Sequence, residues 1–331
     1  MKFSNLFISL LFILNVFILQ AQPKIIFDTD IGGDADDLGA LAMLHNYIKS
    51  GDCELLAIMS WTTDKYAVPA IDAINRFYLH PEIPIGTRKD GTTTSDLTYN
   101  KVISDNFPNK LTYNDVPDAI DLYRKILASN EDKSVTIITV GPLLNIQRLI
   151  QSKPDSYSNL NGAELISKKV KEFVIMGGKF PKGKNEWNFN GDMPGVTKFV
   201  IENLNVPIVF SGFELGEQIK TGAIFNEIDK ATPLYKGFLY FSEYAPWVKA
   251  NFEGIILDNS TFDQTAVLYV VEGGVGTYWK KISGGICKVE ENGDSSWKKG
   301  KKTNQSYLKL KESPEVMAEI IEAIMLNRFI R

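Results

Sequence analysis

Histidine and cysteine are scarce in this 331-residue chain, which has two of each. So few imidazoles and thiols argue against a His-rich zinc site and against any catalytic scheme that needs several imidazoles. The chain also lacks a basic excess, because 36 Lys and Arg face 40 Asp and Glu, a formal net charge of −4. A nucleic-acid-binding surface needs clustered positive charge to neutralise phosphates, so no nucleic-acid partner is expected.

Disorder is equally disfavoured by the composition. Charged residues make up only 23% of the chain, and 19 Phe, 13 Tyr and 5 Trp supply abundant apolar surface to bury. The chain shows no internal repeat, no low-complexity linker and no block of like charge. Roughly 300 residues can form one large α/β domain or two small ones, and one domain is the simpler prediction.

The N-terminus has the pattern of an export signal. Lys2 precedes an apolar run over 6–19, and Ala21 offers a small residue at a plausible cleavage point. The run is shorter than the roughly 20 apolar residues of a membrane span, although an uncleaved anchor remains an alternative. We therefore predict a signal peptide over 1–21, a mature chain over 22–331 without stable membrane insertion, and a periplasmic or secreted location.

The four scarce side chains are predicted to be structural. Cys53 and Cys287 could pair in an exported protein, but each lies in an apolar, strand-like run, so buried free thiols are the better prediction. His45 lies within a helical pattern and His80 precedes Pro81 at a turn. Neither is expected to act in catalysis.

Short apolar runs alternate along the chain with segments of helical period. The predicted elements are strands over 24–27, 54–59, 135–140, 170–176 and 206–210, and helices over 37–49, 70–78, 143–150 and 194–203. This alternation predicts an α/β fold with a single open, mostly parallel, Rossmann-like sheet and helices on both faces. Further strands are predicted over 284–289 and 307–310 around a polar turn at Asn292-Gly293. Trp297 is predicted in a surface loop, and a last helix from Pro314 to about 327.

The segment between the first predicted strand and helix carries five carboxylates within ten residues. They are Asp28, Asp30, Asp34, Asp36 and Asp37. So many carboxylates repel one another unless a cation lies among them, and ligands bind at this end of a parallel strand. Oxygen donors without Cys or His favour Ca²⁺ or Mg²⁺ over zinc. A solvated acidic turn that caps the helix is the plainer interpretation, but capping accounts for one acid rather than five.

This acidic run resembles the hallmark of the inosine–uridine-type nucleoside hydrolases. Four further segments are similar to that family's landmarks, in the same order: 139–145 (TVGPLLN), 174–178 (VIMGG), 186–192 (EWNFNGD) and 262–267 (FDQTAV). The resemblance covers most of the mature chain. It implies the nucleoside hydrolase fold, a bound Ca²⁺, a nucleoside or related N-riboside as small-molecule partner, and a homodimer or homotetramer.

The resemblance also implies a role for individual residues. Asp30 would touch the metal and act as the general base, with Asp37, Asp263 and the carbonyl of Val140 completing the metal shell. The implied substrate-binding residues are Asp36, Asp64, Asn185, Glu186, Asn188 and, through base stacking, Trp187. Asp34 is an additional acid, so either Asp34 or Asp36 could take the ribose role, and Asp28 would support the site. Trp61, like Trp187, could stack on a base or simply pack in the core.

Phe262 stands where the family places a histidine that serves the leaving group. Phenylalanine cannot donate a proton, so two functions stay open: calcium-dependent hydrolysis of the N-glycosidic bond, or calcium-dependent binding of a nucleoside or sugar without turnover. A haloacid-dehalogenase-type phosphatase also begins with a strand and Asp-x-Asp. It needs Thr or Val where this chain has Gly32, and it gives no role to Glu186 or Asn188.

Overall fold

A computed structural model describes residues 22–94, 98–300 and 303–328. The predicted signal peptide lies outside the described residues. The strands are β1 (Lys24–Thr29), β2 (Glu54–Ser60), β3 (Ile85–Thr87), β4 (Val135–Thr139), β5 (Val170–Met176), β6 (Lys182–Gly183), β7 (Ile208–Ser211), β8 (Lys220–Thr221), β9 (Asn259–Ser260), β10 (Trp279–Ile282), β11 (Gly285–Val289), β12 (Ser295–Lys299) and β13 (Gln305–Leu310).

The helices alternate with the strands over most of the chain. They are α1 (Asp36–Ser50), α2 (Ala67–Phe77), α3 (Tyr99–Asn106), α4 (Ala119–Ser129), α5 (Leu144–Gln151), α6 (Gly162–Lys169), α7 (Trp187–Asn190), α8 (Val196–Asn203), α9 (Phe213–Gly216), α10 (Pro233–Tyr244), α11 (Asp263–Glu272) and α12 (Pro314–Met325). Two short 3-10 helices occupy Ala223–Glu227 and Lys249–Asn251.

An eight-stranded sheet organises the fold, in the order β10-β13-β7-β5-β4-β1-β2-β3. Its neighbouring strands are parallel except at one edge, where β10 runs antiparallel to β13. Alternate residues of β1 enter two separate apolar cores, since Ile25 and Phe27 belong to one and Ile26 to the other. Helices α1, α2, α10, α11 and α12 supply the first core, and α4, α5, α6 and α8 the second. The predicted open, mostly parallel sheet covered on both faces is confirmed.

The C-terminal strands differ from the prediction. The turn at Asn292-Gly293 joins β11 to β12, an unpredicted strand, and not to β13. Strand β13 instead lies in the main sheet between β10 and β7. Trp297 lies on β12 and is buried against Phe180 and Tyr307, so its prediction as a surface loop is wrong. The β12 sequence SSWKK is mostly polar. The segment is too short for an alternation of buried and exposed residues to distinguish a strand from a loop.

Cys53 and Cys287 are both buried and free, as predicted. His45 is buried in α1, where its Nε2 lies 3.0 Å from Asn75 Oδ1 and its ring stacks on Tyr78 and His80. The His45 and His80 rings therefore stack on each other, and neither residue lines the candidate site described below. Among the described residues, no helix is both long and apolar enough to cross a membrane.

Candidate active site

A cavity of about 730 Å³ opens where the parallel strands of the main sheet end. The loops after β1, β2 and β5 form its walls, together with the start of α11. The cavity is lined by all the residues that the resemblance implied as metal-binding, substrate-binding or leaving-group positions: Asp30, Asp36, Asp37, Asp64, Val140, Asn185, Glu186, Trp187, Asn188, Phe262 and Asp263. The topology therefore brings together segments from across the chain.

Three buried carboxylates form the most acidic part of the cavity. Oxygens of Asp36, Asp37 and Asp263 all lie within 4.8 Å of one another. Asp36 and Asp37 open α1 and Asp263 opens α11, and these two helices pack against each other. Burial, and then repulsion from the neighbouring carboxylates of the acidic loop, raise the pKa of all three carboxyls well above the usual range. A cation among them would offset both effects.

Polar side chains hold the acidic loop in place. The Thr29 hydroxyl donates to Asp37 Oδ1, and Asn259 Nδ2 donates to Asp34 Oδ1 at 2.5 Å. Gly32 has a φ of +128°, and a Cβ there would collide with the Asn100 amide. The loop therefore requires glycine at this turn, both for its backbone conformation and for its packing.

Asp30 stands beside the three-carboxylate cluster. Its Oδ2 accepts a hydrogen bond of 2.8 Å from Trp187 Nε1, and a Cβ on Gly141 would lie only 2.9 Å from its carboxyl group. Burial raises the pKa of Asp30 to about 6, and the bond from Trp187 works in the opposite direction. A cation in the neighbouring cluster would oppose this rise by favouring the ionised form of Asp30.

The carbonyl of Val140 is oriented by the loop after β5. Asn188 Nδ2 donates to the carbonyl oxygens of Val140 and Met176, at 2.9 and 3.0 Å. The backbone N–H of Val140 donates to the Asp28 carbonyl, which ties the end of β4 to β1. Asn188 thus fixes a carbonyl that lines the cavity, besides lining the cavity itself.

Glu186 caps α7 while facing the same cavity. Its carboxylate accepts from the backbone N–H groups of Gly178, Asn188 and Phe189 at 2.7 to 3.1 Å. Burial nevertheless raises the pKa of Glu186 to about 7, against the effect of these three bonds. Asn185, by contrast, is exposed at the rim with a φ of +53°.

Asp64 is held by two residues that the sequence did not single out. Its Oδ2 accepts from Thr98 Oγ1 and Asn100 Nδ2, each at 3.0 Å. Asn100 also donates to the Ile31 carbonyl, so it links Asp64 to the acidic loop. Asp28, which was predicted to support the site, lies near the end of β1 and outside the cavity lining. It is buried, and its carboxylate accepts from Tyr123 at 2.7 Å and from Asn145.

Aromatic rings also line the cavity. Phe262 packs against Phe213 with ring centroids 4.9 Å apart, and Trp61 meets Trp187 edge to face at 6.5 Å. Trp61 and Trp187 were predicted near the site, whereas Phe213 and Trp247 were missed. Phe213 lies just after β7, at the carboxyl end of a parallel strand, where ligands bind. This position after a predicted strand is the sequence feature that indicates a site role for Phe213.

Comparisons with known proteins agree with this architecture. A sequence model of the family "Inosine-uridine preferring nucleoside hydrolase" matches residues 25–330. An uncharacterised protein of Schizosaccharomyces pombe is 28% identical over 221 residues, which span 60% of this chain and 64% of that protein. This match therefore covers less than two thirds of the yeast relative.

Two solved structures have the same fold. The plant nucleoside hydrolase PpNRh1 superposes with a TM-score of 0.67 and 15% identity, over 92% of this chain and 98% of its own. The inosine-uridine preferring nucleoside hydrolase of Bacillus anthracis gives 0.66 and 16%, over 92% and 100%.

Proposed function

The chain belongs to the inosine-uridine preferring nucleoside hydrolase family, and from this we propose that it hydrolyses the N-glycosidic bond of ribonucleosides or a related N-riboside in a calcium-dependent reaction. The observation that carries the proposal is the buried group of Asp36, Asp37 and Asp263, in a cavity that also presents Asp30, Glu186 and Asn188. The products are ribose and the free base.

The donor set fits a hard cation. Carboxylate oxygens converge without a sulfur or imidazole ligand, which suits Ca²⁺ or Mg²⁺. We assign Asp30, Asp37, Asp263 and the Val140 carbonyl as ligands, with the buried Asp36 close enough to join them. When bound, the cation supplies positive charge that offsets the carboxylate repulsion and polarises an attacking water.

Asp30 takes the proton of that water as the water oxygen bonds to the anomeric carbon of the ribose. The N-glycosidic bond breaks at the same carbon, and its electron pair leaves with the base, which takes up a proton from solvent. The sugar becomes oxocarbenium-like in the transition state, so the surrounding carboxylates stabilise its positive charge. Asp36, Asp64 and Glu186 accept from ribose hydroxyls, while Asn185 and Asn188 contribute amide groups.

The leaving-group end determines which substrates react quickly. Phe262 and Phe213 present apolar rings where proton donation would help departure. General acid catalysis typically contributes about 10²- to 10⁴-fold, so its absence favours substrates whose leaving group departs without protonation.

A panel of nucleosides tests the function, including an activated aryl riboside assayed for released ribose with and without Ca²⁺. We expect calcium-dependent release, fastest from the aryl riboside. If no riboside releases sugar although the protein binds nucleosides in the presence of Ca²⁺, the hydrolase proposal is wrong. The second candidate, a calcium-dependent nucleoside or sugar-binding protein, would then hold, and Phe262 is the observation that favours it.

Export and self-association are further parts of the proposal. The leader pattern over 1–21 supports cleavage and a periplasmic or secreted location, while the family resemblance supports a homodimer or homotetramer. The mass and N-terminus of the protein recovered from a bacterial host test the cleavage. Light scattering of the purified chain tests the oligomer, and a monomer would contradict it.

A further inference from the structure

We propose that Trp187 is a positioning residue for Asp30, whose indole N–H sets the orientation in which the carboxylate takes a proton. This role differs from stacking on a substrate base. It rests on the proposed function for its kinetic consequence, but the contact itself can be tested without turnover.

The contact joins distant parts of the chain. Trp187 opens α7, 157 positions after Asp30, and its Nε1 lies 2.8 Å from Asp30 Oδ2. The side chain of Trp187 is 57% exposed, so burial of the ring does not account for its placement. A bond from a neutral donor to an ionised acceptor is stronger than one between neutral groups. Such a bond to Asp30 stabilises the exposed indole in its position at the cavity.

Asp30 is confined on a second side by backbone. Gly141 approaches so closely that an added Cβ would lie 2.9 Å from Asp30 Cβ, Cγ and Oδ1. The carboxyl group therefore lies between the Gly141 backbone and the Trp187 indole. With Oδ2 engaged by the N–H, Oδ1 is the oxygen left for the proposed cation and the attacking water.

Trp187 is itself held in position from two directions. Its neighbours Glu186 and Asn188 bind backbone groups at the ends of β4 and β5. Its ring meets the edge of Trp61, whose Nε1 donates to Asp192 Oδ1 at 3.0 Å. The Arg88 guanidinium lies 5.3 Å from the centre of the Trp61 ring. Side-chain contacts thus run from Arg88 through Trp61 to Trp187, and they hold the Trp187 indole against Asp30.

A positioning role and a stacking role predict different kinetics. Loss of orientation slows the chemical step, and misplacement of a catalytic group by about 1 Å can cost about 10²-fold. Loss of stacking weakens substrate binding and raises KM. Trp187→Phe keeps an aromatic ring and removes the N–H. We expect its kcat toward the activated aryl riboside to fall about 10- to 100-fold, with KM changed less than threefold.

Two comparisons accompany this variant. Trp187→His, which restores a ring N–H, should recover part of kcat. Trp297→Phe removes an indole from β12, outside the cavity, and should keep the wild-type kcat. In the full-length protein without substrate, adding Ca²⁺ should change the tryptophan fluorescence of the wild type and of Trp297→Phe. Most of this change should be lost in Trp187→Phe, because Trp187 bonds to a carboxylate proposed to bind the cation, whereas Trp61 and Trp247 only line the cavity.

The outcomes separate this inference from the proposed function. A raised KM with unchanged kcat in Trp187→Phe, or no kinetic change at all, would overturn the positioning role. If the wild type hydrolyses no riboside, the proposed function fails. The fluorescence titration then tests whether Trp187 contacts Asp30 beside the cation. An equal calcium response in Trp187→Phe and wild type then overturns it, and a response lost only in Trp187→Phe supports it.

Discussion

Phe262 lies face to face with Phe213, their ring centroids 4.9 Å apart and their planes 26° from parallel. Phe262 directly precedes Asp263, a member of the carboxylate cluster, so the ring stands next to the proposed metal ligands. An apolar pair therefore occupies the position that the family resemblance assigns to the residue serving the leaving group.

Replacing Phe262 by histidine should make poor leaving groups react faster. The wild type is expected to hydrolyse an activated aryl riboside much faster than inosine or uridine, and Phe262→His should narrow that gap because an imidazole can donate a proton. Steady-state rates on the three substrates give the ratio. Phe262→Leu removes the ring without adding a proton donor. Its rate on the aryl riboside should still greatly exceed its rates on inosine and uridine. Equal wild-type rates on inosine and the aryl riboside would refute this account.

Removal of the metal should destabilise the fold. A ligand that binds only the folded state stabilises it by about 2.7 kcal/mol when its free concentration is 100 times Kd. A chelator should therefore lower Tm and abolish hydrolysis, and added Ca²⁺ should restore both. Asp263→Asn removes one of the repelling charges, so in chelator it should melt above the wild type and respond weakly to Ca²⁺. Unchanged melting after verified removal of the metal would rule out the calcium site.

Asp30→Asn should separate proton transfer from folding. The amide oxygen can still accept the Trp187 N–H, so the fold should persist, while turnover falls about 10²-fold or more because an amide is not a base. Metal content and kcat should be measured on the same preparation, because Asp30 is also a proposed ligand. A variant that keeps both its metal and its turnover would remove Asp30 from the mechanism.

The buried His45 should make the fold sensitive to acid. Burial, followed by the charge of His80, lowers the pKa of His45 from 6.5 to about 3. The folded state thus disfavours the protonated ring. Its contribution to stability is complete above pH 6.5 and is lost as pH falls toward 3, by up to about 1.4 kcal/mol per pH unit. Urea unfolding of wild type and His45→Gln should show a stability difference that shrinks from pH 8 to pH 5. Parallel curves would contradict this expectation.

Local patterns were enough to predict the frame of this protein. Runs of apolar residues identified β1, β2, β4 and β5, because each of these strands ends in consecutive buried residues. The acidic loop was predicted as a ligand site because charge of one sign at the end of a strand is a purely local signal. The resemblance then supplied Asp263 and Glu186, which no local pattern connects to that loop.

Other residues escaped prediction because their importance depends on packing. Asn100 matters through the geometry that aims its amide at Asp64 and the Ile31 carbonyl, and nothing in the surrounding sequence signals this. Phe213 resembles any apolar residue until the fold sets it against Phe262. Strand β10 was missed because its sequence, WKKI, puts two lysines at the centre of an edge strand.

The acidic loop and its carboxylate partner on α11 lie far apart in the sequence. Asn259, just before α11, bonds to Asp34 across a separation of 225 positions. The proposed ligand shell would therefore be complete only when α11 has docked on α1, so cation binding would depend on contact between segments that are far apart in the sequence. A nascent chain that ends before residue 259 has the repelling carboxylates but not their last partner. The proposed cation would therefore stabilise the contact between α1 and α11 only after α11 has been synthesised and has docked.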